Sequence, residues 1–296
     1  MPARRFKQVD VFTTRPFFGN PVAVVLDGDG LETATMQRIA AWTNLSETTF
    51  VLRPTAPGAD YRLRIFTPRA ELPFAGHPTV GSAHAVLEAG LVAAKPELRQ
   101  ECGAGVLRLA VEGTGRERRI AVEAPPAALE PLRPEAVDEV ERAIGARLAP
   151  GSTGQVVAIG PRWLTLMLAD ASSVRALAPD MAAVAALSRK LGATGITAFA
   201  PVGVGNAAGD HDVVVRSFAP GEGVPEDPVC GSGNAAVGAW LQHAGIEAGE
   251  HGRHVASQGR ELGRDGYVSV RIDAGTRRVW IGGAAVTCVD GALHVD

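Results

Sequence analysis

Cysteine is scarce in this chain: three residues, Cys102, Cys230 and Cys288, among 296. An odd, sparse count argues against a disulfide framework. No Cys-x-x-Cys pair is present, so no structural zinc site, and no metal site of any kind, is expected. Charge of one sign is also lacking. The net charge of -3 leaves no basic footprint for a nucleic-acid partner. Long hydrophobic runs are missing: no stretch approaches the roughly 18–20 apolar residues that span a bilayer. Arg4, Arg5 and Lys7 are followed at once by Gln8 and Asp10, not by the apolar segment of a secretory signal. The chain therefore reads as cytoplasmic, without a membrane partner. Nucleotide motifs fail as well. There is no Gly-x-x-x-x-Gly-Lys, and Gly203 to Gly209 is one residue off the dinucleotide fingerprint, so it reads as a loop between strands.

What is present is alternation. Residues 6–12, 22–26, 47–53 and 61–67 carry strand patterns. So do 105–111, 118–123, 155–159, 163–169, 195–200 and 212–218, and short strands follow at 267–272, 277–282 and 285–289. Helical spacing appears at 33–44, 78–89, 135–147, 180–191 and 233–244. Few regular β-α-β alternations occur, which predicts an α+β protein with mostly antiparallel sheets and not a doubly wound nucleotide fold. The proline-rich stretch 124–134 (APPAALEPLRP) continues no regular element and is the expected domain boundary. Residues 1–125, completed by about 283–296, then form an N-terminal half, and 126–282 a C-terminal half. His251 and His254 sit in a Gly/Arg-rich stretch that reads as a solvated loop.

The halves carry a repeat. RIFTPRAELPFAGHPTVGSAHAVLEAG (64–90) aligns with RSFAPGEGVPEDPVCGSGNAAVGAWLQHAG (216–245) after a three-residue difference in loop length. Arg64, Phe66 and Pro68 match Arg216, Phe218 and Pro220. Ala75-Gly76-His77 falls on Cys230-Gly231-Ser232, and Ala89-Gly90 on Ala244-Gly245. Each copy reads strand, loop, small-residue turn, helix, glycine stop. Neither helix has a charged face, so both are expected to be buried on most sides. A buried helix start leaves backbone N–H groups that an anionic ligand can satisfy. Two such starts suit one small carboxylate-bearing molecule.

Several side chains near these turns can carry chemistry. Glu47 opens the apolar strand ETTFVLR; it is either a desolvated acid/base group or a strand-edge surface glutamate. His77 either caps its helix or exchanges protons. Asp227 is an acid/base candidate beside the second turn, whereas its neighbour Glu226 reads as solvated. Ser232 is a good N-cap type without the spacing of a nucleophile elbow. Cys230, at a helix start, has a setting that can depress a thiol pKa.

These stretches resemble the PhzF-like family of phenazine-biosynthesis isomerases. VDVFTTRPFFGNPVAVV, NLSETTFV, FTPRAELPFAGHPTVGSAHAV and EDPVCGSGNAAVGAWL carry the resemblance, in order along nearly the whole chain. It implies the diaminopimelate epimerase-like fold: two pseudo-symmetric halves, each a curved, mostly antiparallel sheet around a central helix, with the site between them. It places Glu47 at the catalytic acid/base position. His77, Asp227 and Ser232 fall at positions around the substrate, and Gly76, Gly231 and Gly233 in substrate-binding turns. Asn20 of the Gly-Asn-Pro motif is a further carry-over, either a binding residue or a structural one. It also implies a homodimer, no cofactor, and a reaction like the isomerisation of trans-2,3-dihydro-3-hydroxyanthranilate, in which a proton moves between ring carbons. Cys230 departs from the threonine usual in the phenazine enzymes. Racemases of this fold use two cysteines; the second would fall at Ala75, so a two-thiol epimerase is excluded. An amino-acid racemase using Glu47 with Cys230, and a non-catalytic small-molecule binder, are the alternatives.

Overall fold

The computed structural model describes residues 3–202 and 210–295, so the Gly203–Gly209 reading lies outside the described residues. In chain order the elements are β1 (Ala3–Val11), β2 (Asn20–Val25), α1 (Thr33–Thr43), β3 (Thr48–Leu52), β4 (Tyr61–Phe66), β5 (Glu71–Leu72), α2 (Gly76–Glu88), β6 (Glu97–Cys102), β7 (Gly105–Glu112), β8 (Arg119–Glu123) and β9 (Ala128–Pro131). There follow α3 (Val137–Ile144), β10 (Gln155–Ala158), β11 (Arg162–Met167), α4 (Ala171–Arg175), α5 (Met181–Leu191), β12 (Gly195–Pro201), β13 (Val213–Ala219), β14 (Val224–Asp227), α6 (Gly231–Ala244), β15 (Arg253–Gln258), β16 (Gly266–Ile272), β17 (Val279–Gly283) and β18 (Ala285–His294). The chain divides into two compact units, Met1–Glu123 with Gly282–Asp296, and Ala124–Ile281.

The N-terminal unit pairs its strands in the order β18-β1-β2-β3-β4-β6-β7, through antiparallel, antiparallel, parallel, antiparallel, parallel and antiparallel steps. The C-terminal unit pairs β9-β10-β11-β12-β13-β15-β16 through the same six kinds of step. The repeat in the sequence is thus the visible part of a repeat of whole units. Equating Phe66 with Phe218 fixes the rest. Their strand partners make Thr48 the counterpart of Ile196, Glu47 that of Gly195, and Val22 that of Trp163.

Each unit is built around one nearly featureless helix. Helix α2 is buried from Gly76 to Leu87, and in α6 every residue from Gly231 to Leu241 is buried except half-buried Ser232. Small residues permit this burial. A Cβ at Gly81 would lie 2.5 Å from Val22 Cγ1 and 2.8 Å from Val11 Cγ2, so α2 rests directly on β1 and β2. Outer helices close the remaining apolar faces: α1 covers β2, β3 and β4 with Met36 and Ala40 against Val25, Phe50 and Phe66. Helices α3 and α5 bring Val140, Ile144, Val184 and Leu187 onto Leu164, Ile196 and Phe218.

Two expectations are corrected. The stretch 124–134 contains a strand, β9, because β10 supplies a partner along Ala128–Pro131 and β9 stands at the end of its unit's strand order, where an edge strand tolerates proline. His254 is not in a solvated loop: it is 5 % exposed, inside β15 and opposite Val270. His251 is exposed.

Candidate active site

Glu47 immediately precedes β3, and its carbonyl accepts a hydrogen bond from Ala23 N of β2 at 3.4 Å. That junction carries the carboxyl inward. Its side chain is 15 % exposed, and Oε2 lies 3.4 Å from Nε2 of His77, itself 7 % exposed. Oε2 accepts no hydrogen bond from any described residue. Burial raises the Glu47 pKa to about 7, with the Ser46 hydroxyl opposing the rise. A carboxyl poised there is both an available base and an available acid near neutrality. The structure therefore separates Glu47 from an ordinary surface glutamate.

His77 is not the cap of α2. Extended Ala75 (φ -151, ψ 141) is the N-cap residue, with no side-chain bond, and Gly76 begins the helix. His77 lies in the first turn and is buried, which brings its ring to Glu47. Below it, Thr79 accepts a hydrogen bond from Gln100 Nε2 (3.2 Å), and Ser82 pairs with Thr49 Oγ1 (2.8 Å). Asn20 is buried at the start of β2, paired with Val11.

The second turn is differently furnished. Cys230, not Ser232, is the N-cap of α6, and its Sγ accepts from Gly233 N at 3.2 Å. Gly233 is required there, since a Cβ would stand 2.6 Å from Ser217 Oγ and 2.8 Å from Thr197 Oγ1. The Cys230 thiol is pushed well above its ordinary pKa, first by burial and then by the Asp227 charge; the Ser232 hydroxyl and the Gly233 N–H act against this without overcoming it. The expected helix-start depression is thus overridden. Asp227 ends β14; its Oδ1 accepts from Val229 N at 3.1 Å and its carbonyl accepts from Gln258 Nε2 at 2.9 Å. Gln258 Oε1 also accepts from Cys230 N (3.1 Å) and Asn234 Nδ2 (2.9 Å). Ser232 Oγ accepts from Trp163 Nε1 at 3.0 Å.

The structure thus brings Glu47 to His77 in one unit, and Asp227, Cys230, Gly231, Ser232 and Gly233 together in the other. Glu226 is corrected: its side chain is only 8 % exposed and clasps Arg216 through two bonds of 2.8 and 2.9 Å. Gln258 and Trp163 went unread in the sequence. Both are strand residues whose partners are distant along the chain, and the repeat of 64–90 in 216–245 covers neither of them. Among the described residues no group of histidine, cysteine and carboxylate side chains is arranged to hold a metal.

A twofold-repeated α+β unit of this connectivity, with a carboxylate and a histidine at one central helix start, is the diaminopimelate epimerase-like fold. An Agrobacterium radiobacter protein described as a probable proline racemase shares that fold, with a TM-score of 0.65 at 15 % identity over 99 % of this chain and 93 % of its own. The chain belongs to the phenazine biosynthesis-like (PhzC–PhzF) family, whose model matches residues 9–291, and it is an isomerase of that family. The Schizosaccharomyces pombe protein named antisense-enhancing sequence 1 is 40 % identical over the full length of both chains. The trans-2,3-dihydro-3-hydroxyanthranilate isomerase of Pseudomonas aeruginosa is 36 % identical, covering 93 % of this chain and 92 % of its own. The crystal structure of a Bacillus anthracis PhzF-family protein matches with a TM-score of 0.86 at 26 % identity, covering 100 % of both chains.

Proposed function

We propose that this isomerase moves a proton on a small carboxylate-bearing substrate by cofactor-independent acid/base catalysis, in a reaction like that of trans-2,3-dihydro-3-hydroxyanthranilate isomerase. The carrying observation is the Glu47 carboxyl: sequestered, beside His77, with its pKa raised to about 7. A single group near neutral pKa can take a proton from one carbon and return it to another, because neither protonation state is costly to reach at pH 7. In this reading Glu47 shuttles the proton and His77 and Asp227 hold polar groups of the substrate. Gly76, Gly231, Ser232 and Gly233, with Asn20 and Cys230, complete the binding residues. A cytoplasmic homodimer belongs to the same reading, on the family resemblance. The raised thiol pKa of Cys230 weighs against the racemase alternative, which needs a readily ionised second group.

The test is solvent exchange. Incubation with trans-2,3-dihydro-3-hydroxyanthranilate in deuterated water should place deuterium on product carbon, read by mass spectrometry. Glu47→Gln should lower the rate by about 10²–10⁴-fold, the usual contribution of a positioned acid/base. Unchanged exchange in that variant removes Glu47 from the mechanism. Binding without exchange by the wild type would count against this substrate and this acid/base route.

A further inference from the structure

The unit repeat pairs each residue of the Glu47 site with a counterpart, and the counterparts do different chemistry. Glu47 corresponds to Gly195, and His77 to Ser232. No side chain can stand at 195: a Cβ there would lie 2.2 Å from the Phe218 carbonyl oxygen and 2.9 Å from Trp163 Cζ3. The indole of Trp163, paired across the sheet with Gly195, lies over that position. Its Nε1 then reaches Ser232 Oγ at 3.0 Å. In the N-terminal unit a carboxylate faces the first-turn residue of the central helix; in the C-terminal unit an indole N–H does.

That exchange fixes the polarity of the serine. Indole nitrogen donates only, so Ser232 Oγ must accept from it, and the hydroxyl proton is directed elsewhere. Its other near neighbour is Cys230 Sγ at 3.6 Å, a weak acceptor already taking the Gly233 N–H. A carboxylate oxygen is a far better acceptor, since charge-assisted hydrogen bonds are roughly twice as strong as neutral ones. We propose that Trp163 is a positioning residue that commits Ser232 to donate its proton to the substrate's carboxylate. This rests on the proposed acid/base reading for the existence of a carboxylate substrate, but not on Glu47 being its base. The division of labour is then built into the repeat: the proton-moving group faces one helix start, and an obligate donor stands on the other.

The chain has four tryptophans, so the indole ¹⁵N–¹H spectrum is small, and Trp163→Phe identifies the Trp163 resonance by its loss. Benzoate is the probe and benzamide its neutral control. In wild-type protein benzoate should shift the Trp163 resonance and benzamide should not. Trp163→Phe keeps an aromatic ring, though a smaller one, and removes the N–H; it should weaken benzoate binding about 5- to 10-fold, the usual worth of one hydrogen bond, and raise KM more than it lowers kcat. In a Ser232→Ala background the same change should have no further effect on benzoate binding. A benzoate titration that leaves the wild-type Trp163 resonance unmoved overturns the proposal, and that measurement needs no variant to fold. A Trp163→Phe effect that persists in full without the serine also overturns it. Glu47→Gln should lose exchange yet keep the benzoate shift, so failure of the acid/base reading is distinguishable from failure of this one.

Discussion

Glu47 Oε2 and His77 Nε2 stand 3.4 Å apart, where the segment before β3 meets the first turn of a helix that has no Asp, Glu, Lys or Arg between Gly76 and Leu87. The contact joins two segments thirty residues apart, and burial there raises the carboxyl to about 7. If the ionised carboxylate begins the reaction, kcat/KM should rise with pH through a single ionisation of midpoint near 7 in the free enzyme. A pH–rate profile from 5 to 9 measures this. A midpoint near 4.5 would mean that an ordinary, solvated carboxylate does the work.

The same burial has a stability consequence of defined sign. In the unfolded chain Glu47 ionises near its ordinary value of 4.5, and in the folded protein near 7. Between those values the folded state holds more protons, so stability falls as pH rises and the penalty is complete above about pH 7. Glu47→Gln should therefore be more stable than wild type at pH 8, by about 2 kcal/mol once partial exposure is allowed for, and indistinguishable at pH 4. Urea unfolding at the two pH values tests the difference. A variant that loses turnover while gaining stability only at high pH is the signature expected of a functional buried acid.

The repeat also places two arginine–glutamate clasps in matching positions with unequal burial. Arg64 and Glu71 pair at 2.6 Å with side chains 18 % and 39 % exposed, whereas Arg216 and Glu226 are 7 % and 8 % exposed. Each guanidinium also lies over its phenylalanine, at 5.1 Å for Phe66 and 5.0 Å for Phe218. Arg216 further donates to the Leu177 carbonyl at 2.7 Å. Glu226→Ala leaves a buried cation with its main counterion gone and should cost about 3–5 kcal/mol. Glu71→Ala, at the more solvated clasp, should cost no more than about 1 kcal/mol. Equal losses in denaturant titrations would show that the two clasps are energetically alike despite their burial.

Those clasps also mark the limit of what is legible in the sequence. Arg-x-Phe-x-Pro is visible as a repeat, and the strand-helix order around it predicts an α+β fold. The charge of Glu226 reads as solvated because its neutraliser, Arg216, lies ten residues away on another strand. Strand β6 (ELRQEC) alternates charged and neutral residues and has no apolar pattern of its own; pairing with β4 and β7 creates it. His254 is likewise buried by its place in β15, while the glycines and arginine beside it signal a loop. At the site, Glu47, His77, Asp227 and the turn glycines are legible by type and by resemblance. Trp163 is not, since a tryptophan in an apolar strand looks like core until its indole nitrogen is found at Ser232.

Cys230 offers the last test, because its location and its chemistry point in opposite directions. Its helix-start position favours a thiolate, but burial comes first among the causes acting on it, and with the charge of Asp227 it carries the pKa well above 9. A thiol in that state stays protonated at pH 7, and the thiolate is the nucleophile. Native protein treated with iodoacetamide at pH 7 should keep Cys230 unmodified, while the same treatment in urea should alkylate it, peptide mapping distinguishing it from Cys102 and Cys288. Rapid native alkylation at Cys230 would establish an ionised thiol beside Gly231 and restore the racemase pairing with Glu47. Resistance leaves the sulfur as the cap of α6, holding the Gly233 N–H, with the proton chemistry at Glu47.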